Sequence, residues 1–565
     1  MKLTGKQIAE YFFRVEADAP DCFKCRKCDQ IRKSPKGYTN LVYHARSCQG
    51  DDVVDKFKQH LEASGHQFKT NGAFGKVANK DIRTFFTSTE KEEATHEWVK
   101  WIASRNMPLS EIENVTTRGM VKHKPMCTKT LRKTVLGVAS ETVKPISEEL
   151  KRAGKITIIM DGWTCDGTST HYVAIFAGYI RPSTGDYEEV LLAIQPMLDE
   201  TSLDAAAHIE LFESTLKLHC IEVENVACFI CDNCATNQKT SREWGIPMVG
   251  CASHRFNLAV REWIKSMPGL EDVLEKIATL MGKASCLKSA ARLRELTQDA
   301  HGKMLKAKKQ NATRWTSQFN MTQRYLKIRP ELEAIAALDE CVLTKKELRI
   351  IKDVELDFQI FNDLTIHLQE KGCTLSWARE QFGILLACDR YDSMQDYIDK
   401  YADIVCCPDF EIGVTKLIDG GRLTDNEASA ISGLKLMPED VVEPSEVEDD
   451  IAEPSTIKAM LEQSRQKRRK LEDDRSRSVS HRGDKNCIDA SKLICCTSNA
   501  CERLFSEAKY IMVPHRRGMS PVMFEALLFL KKNLRFWSVC TVSQAMKNAN
   551  PNHTQMERDD DMYYE

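Results

Sequence analysis

The sequence predicts an α/β (α+β) protein: a mixed sheet with a large helical insertion, preceded by a small zinc finger. Three observations carry this. Apolar runs with the length and period of strands are confined to residues 155–262. Residues 266–437 carry 3.6-residue patterning and few strand signals, the mark of a helical insertion. Cysteine and basic residues crowd into residues 1–50, which hold ten Lys/Arg against five Asp/Glu.

A chain of 565 residues is long enough for roughly three or four domains. Its 42% hydrophobic and 29% charged residues are the proportions of a globular protein in water. No apolar run approaches the ~18 residues of a membrane helix, and Met1-Lys2-Leu3-Thr4-Gly5-Lys6-Gln7 lacks the apolar core of a secretory signal. The chain is therefore expected to stay on the reducing side of the cell, with its 22 cysteines as free thiols or metal ligands rather than disulfides. Net charge is −2, yet charge is segregated: residues 438–454 hold eight acids and no base. The total thus neither supports nor excludes DNA binding.

From the start of the chain, Cys25-x2-Cys28-x15-His44-x3-Cys48 has the spacing of a tetrahedral zinc site. Two thiolates on a tight turn face a His and a Cys four apart on one helix face. Cys25 and Cys28 are the preferred pair, with Cys22 a free thiol; Cys22 in place of either remains open, since Cys22-x2-Cys25 has the same spacing. So small a unit lacks the apolar residues to fold alone, so Zn2+ ligation is expected to stabilise it. Residues 51–91 read as a polar linker. Residues 92–152 read as a helical DNA-binding or dimerisation region, with Trp98, Trp101 and Ile102 on one face and a helix stop and restart at Met107-Pro108-Leu109-Ser110-Glu111.

The first part of the core, 153–265, has strand-like runs at 156–160, 171–180 and 188–195. A helix at about 203–219 follows, then strands at 225–231 and near 246–251, and a helix at 254–265. Three strands that pair antiparallel, then alternating helix and strand, is the order of an RNase H-like sheet. Residues 438–486 are rich in Pro, Ser and charge and are expected to be disordered. Within them Arg465-Gln466-Lys467-Arg468-Arg469-Lys470 reads as a nuclear import signal, or as a solvated charge run; the first places the protein in the nucleus. Residues 487–545 close the core, with Phe524, Leu527, Leu528 and Leu530 as an apolar face that must pack on the core or on a second chain. A polar tail, 546–565, is expected to be disordered.

Three acids stand in separately recognisable settings. Asp161 ends the apolar run Ile156–Met160 and opens Asp161-Gly162-Trp163-Thr164; Asp232 ends Val226–Cys231 and opens Asp232-Asn233-Cys234-Ala235. Glu502 lies in Cys501-Glu502-Arg503-Leu504-Phe505-Ser506. Carboxylates at the C-terminal ends of two buried strands, with a third on a helix, make an oxygen cage for Mg2+ or Mn2+. The bland readings are an Asp-Gly turn at Asp161 and a helix N-cap at Asp232. Cys251-x2-His254 also has zinc-ligand spacing, but no second pair lies nearby.

Two resemblances follow. Tyr11-Phe12, Cys25, Cys28, Gly37-Tyr38-Thr39-Asn40-Leu41, His44 and Cys48 together resemble a BED zinc finger, a DNA-binding module, here with Cys rather than His as fourth ligand. Cys251-Ala252-Ser253-His254-Arg255-Phe256-Asn257-Leu258, then Thr313-Arg314-Trp315-Thr316-Ser317, then the Glu502 segment with Arg516 and Asn533 downstream, resemble the hAT superfamily of DNA transposases from about 95 to 535. The resemblance implies that Asp161, Asp232 and Glu502 hold catalytic metals for cut-and-paste DNA cleavage and strand transfer. It implies that Cys251 and His254 form a second shell, Arg314 binds phosphate and Trp315 stacks on a flipped base (otherwise Trp315 is core). It implies DNA (transposon ends and target) as partner, and a homodimer or higher homo-oligomer formed through the last block. The alternatives are a domesticated, non-catalytic zinc-finger dimer controlling transcription, and a metal-dependent nuclease of the same fold.

Overall fold

The computed structural model describes residues 12–33 (without 17, 18 and 29), 41, 44, 45 and 48; residues 89–434 apart from 167, 311–313, 372 and 420; residues 457, 459–463 and 466; and residues 493–548. Most of the 51–91 linker, the basic residues of 465–470 and the tail beyond 548 therefore lie outside the described residues. The chain divides into two compact units, Met1–Thr87 and Ser88–Glu565.

In the first unit, strands β1 (Phe13–Glu16), β2 (Ala19–Cys25) and β3 (Ile31–Lys33) form an antiparallel sheet in that order. Its core is small: Phe12, Phe13, Leu41 and Ala45 are the buried apolar side chains around the metal ligands. That is the expectation for a unit too short to hold itself together by burial alone.

The second unit opens with helices α1 (Glu90–Arg105), α2 (Val115–Met120) and α3 (Thr128–Ala153). Thr89 and Glu92 close a capping box at the head of α1. Next come β4 (Ile156–Thr164), β5 (His171–Ile180) and β6 (Tyr187–Pro196), then α4 (Ala205–Leu218), β7 (Val226–Cys231), α5 (Ala235–Trp244), β8 (Met248–Gly250) and α6 (Ala252–Ser266). The sheet order is β6-β5-β4-β7-β8. β4, β5 and β6 pair antiparallel, whereas β7 and β8 join parallel to β4. β7 is buried at every position, as a central strand covered by helices on both faces must be.

Asp161 does not end its strand. β4 pairs with β7 only over Ile156–Ile159 but with β5 through Thr164, so the hairpin outruns the parallel ladder and Asp161 lies opposite Ala174 within it. Nor is Gly162 in an Asp-Gly turn. It pairs with Val173, and a Cβ there would meet the His171 ring at 2.7 Å; a close approach, not a turn, demands glycine.

β6 is an edge, and side chains finish its hydrogen bonding. Asn533 accepts from Leu191 N (3.3 Å) and donates to Leu191 O (2.9 Å). Glu525 accepts from Ile194 N (3.1 Å), and His219 Nε2 meets Leu192 O (3.1 Å). An edge covered this way offers no ladder for another chain.

Helices then run in succession: α7 (Leu270–Ala284), α8 (Leu287–His301), α9 (Trp315–Glu333), α10 (Lys345–Asp353), α11 (Glu355–Leu368), α12 (Leu375–Leu386), α13 (Gln395–Ile398), α14 (Pro408–Asp419) and α15 (Asp425–Ala430). No strand occurs there among the described residues, apart from an isolated bridge between Thr374 and Cys495. Buried charges fasten this array to the sheet. Arg255 on α6, 1% exposed, donates to Tyr397 O (2.8 Å) and Asp399 O (3.0 Å). Glu411 on α14, fully buried, pairs with Arg255 and Arg379 and accepts from Gly250 N (3.2 Å).

Residues 459–463 and 466 are helical, and Leu461 is buried in the main core, so disorder does not hold throughout 438–486. The chain closes with α16 (Asn499–Ile511), α17 (Pro521–Lys532) and α18 (Val539–Asn548). α16 packs on β4 and β5, and α17 on β6 and α3. The apolar face of α17 divides: Phe524 and Leu528 enter the main core. Leu527 and Leu530 join a second core with Trp98, Ile102, Leu131 and Val135. All four leucines and phenylalanines of that face are thus buried within one chain. Among the described residues no helix is long and apolar enough to cross a membrane.

Candidate functional site

In the first unit the donor atoms of Cys25, Cys28, His44 and Cys48 all lie within 4.8 Å of one another, a group able to hold a structural zinc. β2 ends at Cys25, the turn that follows carries Cys28, and the helical residues Leu41, His44, Ala45 and Cys48 bring the other two donors. Cys25 N donates to Gln30 O (2.9 Å) and Arg26 N to Phe12 O (3.0 Å), fixing the turn. Cys28 Sγ stands 3.2 Å from His44 Nε2. Burial, with Arg32 nearby, lowers the His44 pKa, keeping the imidazole neutral and ready to ligate. Burial, a hydrogen bond with Cys28 and the neighbouring Cys25 push the Cys48 thiol up to about 12. A divalent cation among the thiols is the natural counter-charge. All four donors are found without Cys22, whose side chain lies outside the described residues.

In the second unit the three acids come from β4, the loop after β7, and the first turn of α16. They meet electrostatically. Asp161 is pushed up to about 7, first by burial and then by the negative charges of Asp232 and Glu502, against a hydrogen bond from Gly162 N (2.9 Å) and the positive Arg314. What pins Glu502 there is its neighbour. Cys501 Sγ is directed at Ile159 O (3.6 Å) and Ala174 O (3.7 Å), backbone groups flanking Asp161, although Cys501 and Ile159 are 342 positions apart. Asp232 accepts from Asn237 Nδ2 (2.7 Å) and Cys234 N (3.4 Å), so it also caps the start of α5. Asn233 beside it donates to Ile404 O (2.8 Å) and lies over Gly250, where a Cβ would come within 2.3 Å of its amide.

The carboxylates are spread more widely than the finger's donors. Among the described residues the finger is the only group of three or more His, Cys, Asp or Glu drawn within 4.8 Å. An acidic rim wider than one ion's shell is what two ions ~4 Å apart require. Arg314 NH2 meets Glu502 Oε1 at 3.0 Å, so its guanidinium faces the acids directly rather than open solvent.

The motifs quoted from sequence converge here. Ser498 N donates to Cys251 Sγ (3.4 Å), and Asn499 Nδ2 reaches Ser253 Oγ (3.4 Å). Asn257 Oδ1 accepts from Trp315 N (3.1 Å). Cys251 is buried behind the Glu502 turn, with the His254 N–H directed at its thiol. His254 itself is part-buried on the first turn of α6. Trp315 is core: it is 2% exposed, with ring centroids 6.1 Å from Phe361 and 6.3 Å from Phe358. A ring so enclosed has no face left for a base, which corrects the base-stacking expectation. Arg255, Glu411, Asn237 and Cys501 escape sequence reasoning, because a buried Glu on an amphipathic helix reads like any surface Glu.

Compared with protein-family models and with curated proteins, the chain matches none.

Proposed function

We propose that this chain is a hAT-type DNA transposase, with an RNase H-like core that cleaves and joins DNA strands using Mg2+ or Mn2+, and a BED-type finger that binds DNA. One observation carries the reading: Asp161, Asp232 and Glu502, from three distant segments, bear on one another's charge at one end of the sheet. Three anions gathered in a part-buried place repel unless a cation joins them. The donor set is all oxygen, which suits Mg2+ or Mn2+. When bound, such ions activate a water or a 3′-hydroxyl and stabilise the leaving oxygen.

The chain's own residues have separate tasks in this reading. Asp161 and Asp232 supply oxygen donors from rigid strand ends, and Glu502 brings the third from the head of α16. Asn237 orients Asp232, and Cys501 seats the Glu502 turn on β4 and β5. Cys251 supports the same turn from behind. Arg314 holds Glu502 until a phosphate competes for its guanidinium. His254 stands on the α6 turn at this end of the sheet as a phosphate contact or proton carrier.

The contact between Arg314 and Glu502 also favours a second reading, a domesticated DNA-binding dimer in which Arg314 permanently neutralises the site. The two are separated by incubating full-length protein with Mn2+ and DNA bearing the repeats that flank its coding locus. The transposase reading expects strand cleavage that disappears in Asp161→Ala, Asp232→Ala and Glu502→Ala, while DNA binding through the finger persists. A wild type that binds those ends and leaves them intact establishes the second reading.

A further inference from the structure

A trough of about 1170 Å3 opens between α3, α4, α17, α18 and the β6 edge. Its lips are apolar and exposed: Leu198 is 54%, Leu218 62% and Val522 47% accessible, three of the largest exposed hydrophobic side chains of the unit. One rim is basic, with Lys129, Lys133 and Lys144 exposed along α3. A folded chain rarely leaves so contiguous an apolar surface uncovered.

The chain itself carries a matching segment. α18 ends at Asn548, which lines the trough and donates to Glu141 Oε1 on α3 at 2.8 Å, so residues 549–565 leave from its rim. These seventeen residues hold Glu557, Asp559, Asp560, Asp561 and Glu565 against one base, Arg558, and end in Met562-Tyr563-Tyr564-Glu565. Acids facing a lysine rim and aromatics facing an apolar floor are complementary in both charge and polarity. Asp559 is eleven positions from Asn548, a reach of up to about 36 Å, ample for the trough.

We propose that residues 549–565 dock in this trough within the same chain, their acids on the α3 lysines and Met562, Tyr563 and Tyr564 over Leu198, Leu218 and Val522. The tail is thereby a self-mask: it covers the apolar lips and neutralises a basic face of the helical region.

The test is zero-length carbodiimide cross-linking of the full-length protein, using an equal mixture of isotopically light and heavy chains, with mass-spectrometric mapping. Docking expects links from Glu557, Asp559, Asp560 or Asp561 to Lys129, Lys133 or Lys144, almost all within one isotopic species. Links that join light to heavy chains assign the trough to a second copy and overturn the intrachain occupant. Tail links scattered evenly over other lysines, or no tail links, overturn docking altogether. Lys129 and Lys133 are exposed, so Lys129→Glu/Lys133→Glu preserves the fold. Docking expects that variant to be cut by trypsin at Arg558 at least tenfold faster than wild type, and equal rates count against it.

Discussion

Asp161 shows how a single side chain can be costly to a fold and still be kept. Its pKa stands at about 7 against an ordinary 3.8, mainly because it is buried and also because two other acids face it. A carboxyl raised in the folded state opposes folding once it must ionise. The penalty is absent below the unfolded pKa, grows as pH rises from about 4 to about 7, and is complete above that. Without divalent ions, Asp161→Asn is therefore expected to be more stable than wild type at pH 8, by on the order of 2–4 kcal/mol, and equal to it near pH 3.5. Thermal melts at both values check this. A variant less stable than wild type at pH 8 would mean that Asp161 is held by favourable partners instead. The residue types of this site were readable from sequence because each acid follows an apolar run. The setting was not: whether a strand stops at Asp161 depends on its hairpin partner, and β5 carries it three residues further.

Among the elements, the strands were the most legible, because runs such as His171–Ile180 carry their own length and period. The helices between 270 and 430 were legible as helices but not in their attachment. That depends on Arg255 and Glu411, which local pattern cannot distinguish from surface charges. Trp315 failed for the same reason: neither its identity nor its motif reveals that Phe358 and Phe361 enclose it. Arg255 sits between two backbone carbonyls and a fully buried carboxylate. Arg255→Met should cost about 3–5 kcal/mol, since it strands Glu411 beside Arg379 alone. Adding Glu411→Gln should return part of the loss. A double-mutant cycle by chemical denaturation measures the coupling, and strict additivity would refute the lock.

For the whole molecule, two compact units imply two separate transitions. The first depends on its four donors. Cys28→Ser is expected to release about one equivalent of zinc and to abolish protection of residues 12–48 in hydrogen exchange, while the main transition of residues 89–548 keeps its midpoint. Zinc retained at full stoichiometry in Cys28→Ser would assign the ligand set to Cys22. The last three helices behave differently. They complete both cores of the second unit, so an apolar face that reads from sequence as core or partner surface is accounted for within the chain.

The central claim is that Asp161, Asp232 and Glu502 make one divalent-metal site. Titrating the full-length protein with Mn2+ at pH 7.5, with free ion followed by electron paramagnetic resonance, tests it most directly. Zinc already in the finger leaves its thiolates out of the count. The account predicts up to two bound Mn2+ per chain in wild type, and loss of at least one in each of Asp161→Asn, Asp232→Asn and Glu502→Gln. Affinity should weaken below pH 7 as the Asp161 proton competes. A wild type that binds no Mn2+, or a Glu502→Gln protein with unchanged stoichiometry and affinity, would contradict it.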